Sequence, residues 1–180
     1  INAVMSTSAG RLFDGVSAIL GIRRKSTFEG EASMALEFVA EEYQKNRLKN
    51  AKKMPEIPTY ELLKEGNDRL LLNTGSLIKE ILYRRLNGED SDRLAYIFHQ
   101  ELARQITASC VKIREQSGCN KAALSGGVFQ NRLLLELTDH MLKQQGFEVL
   151  KHQLVPPNDG GIALGQAVYA MAYLDRNRNK

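Results

Sequence analysis

A helix-rich α/β fold closing on a β-α-β-α unit is the architecture this chain predicts, and three observations carry it. Apolar residues recur at helical spacing through the first two thirds. The last third changes period, with short apolar runs alternating with helical stretches. Each run leads into a glycine pair, Gly126-Gly127 and Gly160-Gly161, where backbone amides can face a ligand with no side chain in the way.

The elements follow in order. Ser6-Thr7-Ser8 offers N-cap oxygens ahead of Leu12, Phe13, Val16, Ile19 and Leu20, a stripe that Gly21 closes. Gly30 opens a second helix through Ala32, Ala35, Leu36, Val39 and Tyr43. It decays into a lysine-rich segment interrupted by Pro55 and Pro58, the expected linker or exposed loop. Tyr60 to Leu63 and Arg69 to Asn73 flank a glycine-containing turn and predict two short strands. Thr74-Gly75-Ser76 caps a helix bearing Leu77, Ile78, Ile81, Leu82 and Leu86, stopped by Asn87-Gly88. Ser91-Asp92 starts the longest helix, which Gly118 ends. Ala122-Ala123-Leu124 predicts a short buried strand, Asn131 to Gln145 a helix, and Phe147 to Leu150 a second strand. Gly160-Gly161 opens a final helix through Tyr173. Such a succession implies neighbouring parallel strands with helices packed against them. Ligands in such sheets bind beyond the carboxyl ends of the strands, where both glycine pairs fall.

At 180 residues, 43% hydrophobic and 26% charged, the chain fits one globular domain, taken as residues 1–180. No apolar run reaches the ~20 residues a membrane span needs, and the first residues lack a secretory signal pattern, so no membrane role is expected. Opening on Ile1 suggests a piece of something longer. Cys110 and Cys119 match no zinc spacing, and two free thiols in a reducing cytoplasm is the expectation. The net charge of +4 concentrates in Arg23-Arg24-Lys25 and in Lys45 to Lys53. No aromatic residues interleave with those charges, so a solvated surface is favoured over a nucleic-acid face.

Several residues carry two readings each. The pair Gly126-Gly127 fits neither a P-loop nor a dinucleotide fingerprint; it cradles a ligand or merely relieves a tight turn. Asn131, in the first turn of the next helix, either reaches that ligand or is a polar surface residue. Asp159 stands just before a helix, behind Pro156-Pro157, as an N-cap or as a ligand to a hard cation. Asp14 accepts from ribose hydroxyls or pairs with Arg11, and Glu29, before Gly30, invites the same two readings. His99 is expected to be half-buried beside Phe98 and Leu102, with His140 and His152 on the surface. No serine-hydrolase, HExxH or Cys/His pattern nominates a covalent catalyst, which favours a binding and positioning lobe.

Four segments taken together carry a resemblance: Thr7 to Asp14, Phe28 to Ala32, Ser125 to Leu134, and Pro156 to Gln166. In this order they resemble the C-terminal region of HypF, the carbamoyltransferase family of [NiFe]-hydrogenase maturation. The resemblance covers essentially the whole chain and implies the second lobe of an actin-like (ASKHA) domain. It also implies ATP, a carbamoyl-adenylate intermediate, and a divalent metal (zinc, iron or magnesium). The acceptor it implies is the C-terminal cysteine of HypE, and the further partner is the first lobe of the same protein. Carried over residue by residue, Asp159 is the metal ligand, Gly126, Gly127 and Asn131 line the nucleotide, and Asp14 with Glu29-Gly30 holds its sugar. The family's H-x-x-x-H motif has no counterpart here, since His99, His140 and His152 lack that spacing. The alternatives are an O-carbamoyltransferase lobe, a tRNA threonylcarbamoyl-transfer lobe, or a non-catalytic nucleotide-binding module.

Overall fold

The computed structural model describes residues 6–50, 58–65 and 69–178. Among these the elements run α1 (Ala9–Ile19), α2 (Glu31–Lys49), β1 (Leu63–Glu65), β2 (Arg69–Leu71), α3 (Thr74–Leu86) and α4 (Ser91–Ser117). The last third follows as β3 (Lys121–Leu124), α5 (Arg132–Gln144), β4 (Glu148–Lys151) and α6 (Ile162–Arg178). A 3-10 turn precedes each of the last two helices, Gly127–Gln130 before α5 and Asp159–Gly161 before α6.

Local chemistry sets most boundaries where the sequence puts them. The Ser8 hydroxyl accepts from Arg11 N at the head of α1, and Gly118, at φ 69°, ends α4. The cap of α3 is Asn73, one residue before the expected group, its side chain accepting from Ser76 N at 3.2 Å. One boundary moves further. The lysine-rich tail expected to leave the second helix instead continues it to Lys49. Lysine, arginine and glutamine are good helix formers, and Lys45 pairs with Glu41 at 3.0 Å while Arg47 stands 5.8 Å from the Tyr96 ring centre. Pro55, part of the expected linker, lies outside the described residues. So do residues 66–68 of the expected turn; its first two, Lys64 and Glu65, instead belong to β1, which pairs antiparallel with β2, Leu63 opposite Leu71.

The core is built around α4. Six consecutive residues, Leu94 to His99, are buried, which requires neighbours on every side, and α2, α3 and α5 supply them. His99 is therefore fully buried, not half-buried as its sequence context suggests. Lower on α4 the Glu101 carboxylate is buried and receives both Arg104 Nε and Nη2 at 2.7 Å. The same guanidinium donates to Tyr60 O at 2.7 Å and pins the segment before β1. Both cysteines are free. No helix among the described residues is long and apolar enough to cross a membrane.

β3 and β4 pair parallel, Ala122 opposite Val149 and Leu124 opposite Lys151, with α5 as the crossover. The expected buried strand is buried on one face only: Ala122 and Leu124 are inside, Lys121 and Ala123 outside. The cause is α6, which the sequence predicts to pack on the sheet and which instead touches mainly the turn preceding it. Val168, Tyr169, Met171, Tyr173 and Leu174 are exposed, and together they leave no polar face on the helix. A helix apolar all round packs stably only inside a larger core.

Truncation after Gly161 should therefore leave the urea midpoint unchanged, because α6 gives no side chain to either buried cluster. By contrast, Leu94→Ala, at the centre of the core, should cost about 2–5 kcal/mol in the same unfolding measurement.

Candidate functional site

The two glycine corners lie against each other. Beyond β3, Gly126 adopts φ 98°, ψ 159°, a region open in practice only to glycine, and its N–H donates to Pro157 O at 2.8 Å. That one bond joins the loop after β3 to the loop after β4 at the carboxyl edge of the sheet. Gly127 has room where a side chain would project; its nearest neighbour there is Gln130 Oε1 at 4.0 Å. Gly161 is the opposite case. A Cβ on it would stand 2.8 Å from Pro156 O, so this glycine is required by packing. A cavity of about 270 Å³ opens beside the corners, lined in part by Phe129, Gln130, Lys151, His152, Pro156 and Pro157.

Of the two readings for Asp159, the cap is taken by its neighbour. The Asn158 side chain accepts from Gly160 N at 3.1 Å, leaving the Asp159 carboxylate exposed and without a partner among the described residues. Among those residues no three His, Cys, Asp or Glu side chains cluster to hold a metal ion. Asp159 offers one oxygen ligand where such ions take four or more, so a complete metal site does not fit the described residues alone.

The N-terminus of α5 is closed by the protein itself. Asn131 Oδ1 accepts from Leu134 N at 2.8 Å, and Glu37 Oε1, reaching across from α2, accepts from Arg132 N at 2.6 Å and Leu133 N at 3.4 Å. Asn131 Nδ2 meets His99 Nε2 at 3.0 Å, and His99 Nδ1 meets Ala95 O at 2.8 Å. A carbonyl only accepts, so Nδ1 carries the proton and Nε2 is the acceptor for Asn131. Burial pushes His99 down to about 4, which keeps this ring neutral. The amide expected to reach a ligand is thus turned inward, and the first-turn N–H groups of α5 are already used. The Gly127 and Val128 amides, by contrast, meet no acceptor among the described residues.

The other two segments come in through α1 and α2. Phe13 on α1 packs edge-on to the His99 ring, centroids 5.3 Å apart, and α1 touches the 127–130 turn. The next residue, Asp14, makes the ion pair with Arg11 at 3.5 Å, with Arg11 exposed and Asp14 partly buried. Gly30, at φ 82°, caps α2 about two turns before Glu37. Glu29 beside it is exposed, while Glu31 closes the loop by accepting from Thr27 N and Thr27 Oγ1 and pairing with Arg23 at 3.0 Å. The Thr27 N–H bond chiefly, with Thr27 Oγ1 and Arg23 adding to it, holds the Glu31 carboxyl below its ordinary range. The structure brings Gly126, Gly127 and the Asp159 turn together. It places Asp14 one residue from the His99 contact, and shows no contact from Glu29 to either corner.

Sequence reasoning missed Glu37, His99 and the pair formed by Ser125 and His152, whose Oγ and Nε2 lie 2.8 Å apart. The last was partly findable: Ser125 immediately follows the first of two strands expected to be parallel neighbours, and His152 comes two residues after the expected end of the second.

A parallel β-α-β unit with glycine junctions at its carboxyl edge, set on a helical core, is the arrangement of a Kae1-like domain. The family described as "Carbamoyltransferase, Kae1-like Domain, second subdomain" matches residues 1–166. The chain belongs to the HypF carbamoyltransferase family. It is 37% identical over 179 residues to carbamoyltransferase HypF of Rhodobacter capsulatus, covering 98% of this chain and 21% of that protein. To a probable carbamoyltransferase HypF of Methanocaldococcus jannaschii it is 35% identical, covering 98% and 21%. It also superposes on full-length HypF in its phosphate- and nucleotide-bound form, with a TM-score of 0.77 and 36% identity, covering 93% of this chain and 20% of that one. The chain therefore spans about a fifth of the length of these relatives.

His99 makes stability depend on pH in a definite direction. The unfolded chain binds its proton as pH falls through 6.5, the folded chain only near 4, so this contribution is complete above 6.5 and lost between the two. The loss amounts to about 3 kcal/mol for 2.5 units. Glu37, raised by burial above 4.5, works oppositely: its contribution is present below 4.5 and lost as pH rises through the folded value. Denaturant titrations from about pH 7.5 to 4.5 should show stability falling in the natural chain, and a flatter profile for His99→Gln.

Proposed function

We propose that this chain is the second lobe of an ASKHA-type carbamoyltransferase domain that holds a nucleotide at the joined glycine corners. In the whole protein, carbamoyl phosphate and ATP give carbamoyl-adenylate, and the carbamoyl group passes to the C-terminal cysteine of a HypE-type partner. Dehydration of that product then yields the cyanide ligands of the hydrogenase iron. The observation that carries the reading is the Gly126–Pro157 hydrogen bond, since it joins the two corners at the carboxyl edge of the sheet. Membership of the HypF family and likeness to a nucleotide-bound relative support it.

The chemistry this lobe contributes is positioning. Free amides at Gly127 and Val128 suit phosphate oxygens, which approach closely because Gly127 has no side chain. Asn131 serves behind the loop as the cap that fixes it, not as a nucleotide contact. Asp14 and the Glu29-Gly30 loop would hold the sugar, Asp14 from α1, which touches the 127–130 turn. Asp159 would give one ligand to a divalent metal whose remaining ligands come from the first lobe, and that metal would act as a Lewis acid on a bound oxygen. The attacking sulfur belongs to the partner, which accounts for the lack of a nucleophile motif here. The first lobe would also cover the bare apolar faces of α6.

Calorimetry tests the placement. In an enzyme of full family length carrying this segment, Gly127→Val should abolish ATP binding at concentrations that saturate the parent, with thermal midpoint unchanged. Asp159→Ala should remove the dependence of ATP affinity on divalent metal. Unchanged binding in both variants would refute the site. Modification of tRNA or small alcohols in place of a HypE-type cysteine would refute the acceptor.

A further inference from the structure

β3 and β4 end level, Leu124 opposite Lys151, so the next residue of each leaves the sheet beside the other. Those residues are Ser125 and His152, with Oγ and Nε2 2.8 Å apart, the distance at which an imidazole can take a hydroxyl proton. Neither has a part in the nucleotide contacts above. Both are exposed, in contrast to His99, so packing does not explain the imidazole. Ser125 adjoins Gly126, whose N–H holds Pro157, and His152 lines the 270 Å³ cavity together with Phe129, Gln130 and the two prolines. The pair therefore stands on the seam between the two corners, at the ligand edge of the sheet. Lys151, the β4 residue before His152, is tied to Asp139 of α5, which also holds Lys143. Asp139 accepts from Lys151 at 2.8 Å and from Lys143 at 3.0 Å, so these charges are already compensated among themselves.

We propose that Ser125 and His152 are the proton-accepting pair for carbamoyl transfer, with a thiol acceptor entering along this cavity. This rests on the transfer from carbamoyl-adenylate proposed above. As the acceptor approaches, its S–H proton passes to Ser125 Oγ while the seryl proton passes to His152 Nε2. The sulfur electron pair forms a bond to the carbamoyl carbon. The bond from that carbon to the adenylate phosphate oxygen breaks, and its electrons leave on AMP. The imidazolium then releases its proton to water.

Two readouts in an enzyme of full family length carrying this segment test the pair. Adenylate formation is followed by carbamoyl-phosphate-dependent exchange of pyrophosphate into ATP, and transfer by carbamoylation of a cysteine-terminated peptide. His152→Gln keeps a hydrogen-bonding side chain but removes the titrating ring. Its kcat for transfer should fall about 100-fold further than its exchange rate, and the rising limb of the parent's pH–kcat profile should vanish. Ser125→Ala should lower transfer less and retain the limb. A parent enzyme that does neither reaction refutes the carbamoyl-transfer reading, and this proposal with it. A competent parent whose His152→Gln variant transfers within twofold with the same limb overturns the pair alone. Equal loss of exchange and transfer does so too, because it marks a mere tie between strand ends.

Discussion

The closed N-terminus of α5 is the constraint on which the site depends. Three first-turn amides need acceptors, and they receive a carboxylate from α2 and an amide from the loop before the helix. That amide is oriented by a neutral histidine buried in α4. One junction thus draws on three helices at once. The loop holding Gly126 and Gly127 ends at Asn131, so its far end is fixed to the core while its near end is fixed to β3. A seven-residue loop held at both ends has little freedom left, and its glycine amides are presented in one arrangement.

This closure also decides where an anion can sit. An open helix N-terminus attracts phosphate, but here Glu37 Oε1 already accepts from the Arg132 and Leu133 amides, and a ligand oxygen would have to displace it. Burial raises the Glu37 carboxyl although the Arg132 and Leu133 amides oppose the shift, which shows that desolvation outweighs the bonds it makes. The helix end has become structural. What remains for a ligand is the pair of amides at the start of the 127–130 turn, next to the Gly126 N–H that bonds Pro157 O.

Much of this was legible in the sequence because it is local. Ser8, Gly118, Asn131 and Gly146 mark helix ends through their own chemistry, and the change of period after Gly118 announces the parallel unit. The convergence of the corners follows from adjacency of the strands. What escaped was set by tertiary surroundings. Leu94 to His99 reads as an amphipathic stretch, and only packing on every side shows that His99 has no exposed edge. Glu37, 95 residues from its partner Arg132, leaves no mark in either segment. The lysine-rich end of α2 was misread because charge suggested solvent, whereas those residue types are also good helix formers.

The two corners are held very unequally, and the inequality follows from which helix each one feeds. The first leads into α5, whose buried Leu133, Leu134 and Leu142 bind it to both core clusters. The second leads into α6, which buries nothing against the sheet. Its position is inherited: Pro157 is fixed by Gly126, Gly161 is wedged against Pro156 O, and β4 is fixed by β3. Asp159 accordingly takes its place from the first corner and not from its own helix. Any surface that comes to cover α6 adds a second restraint on the same short turn, and the exposed carboxylate is the group that such a restraint would move.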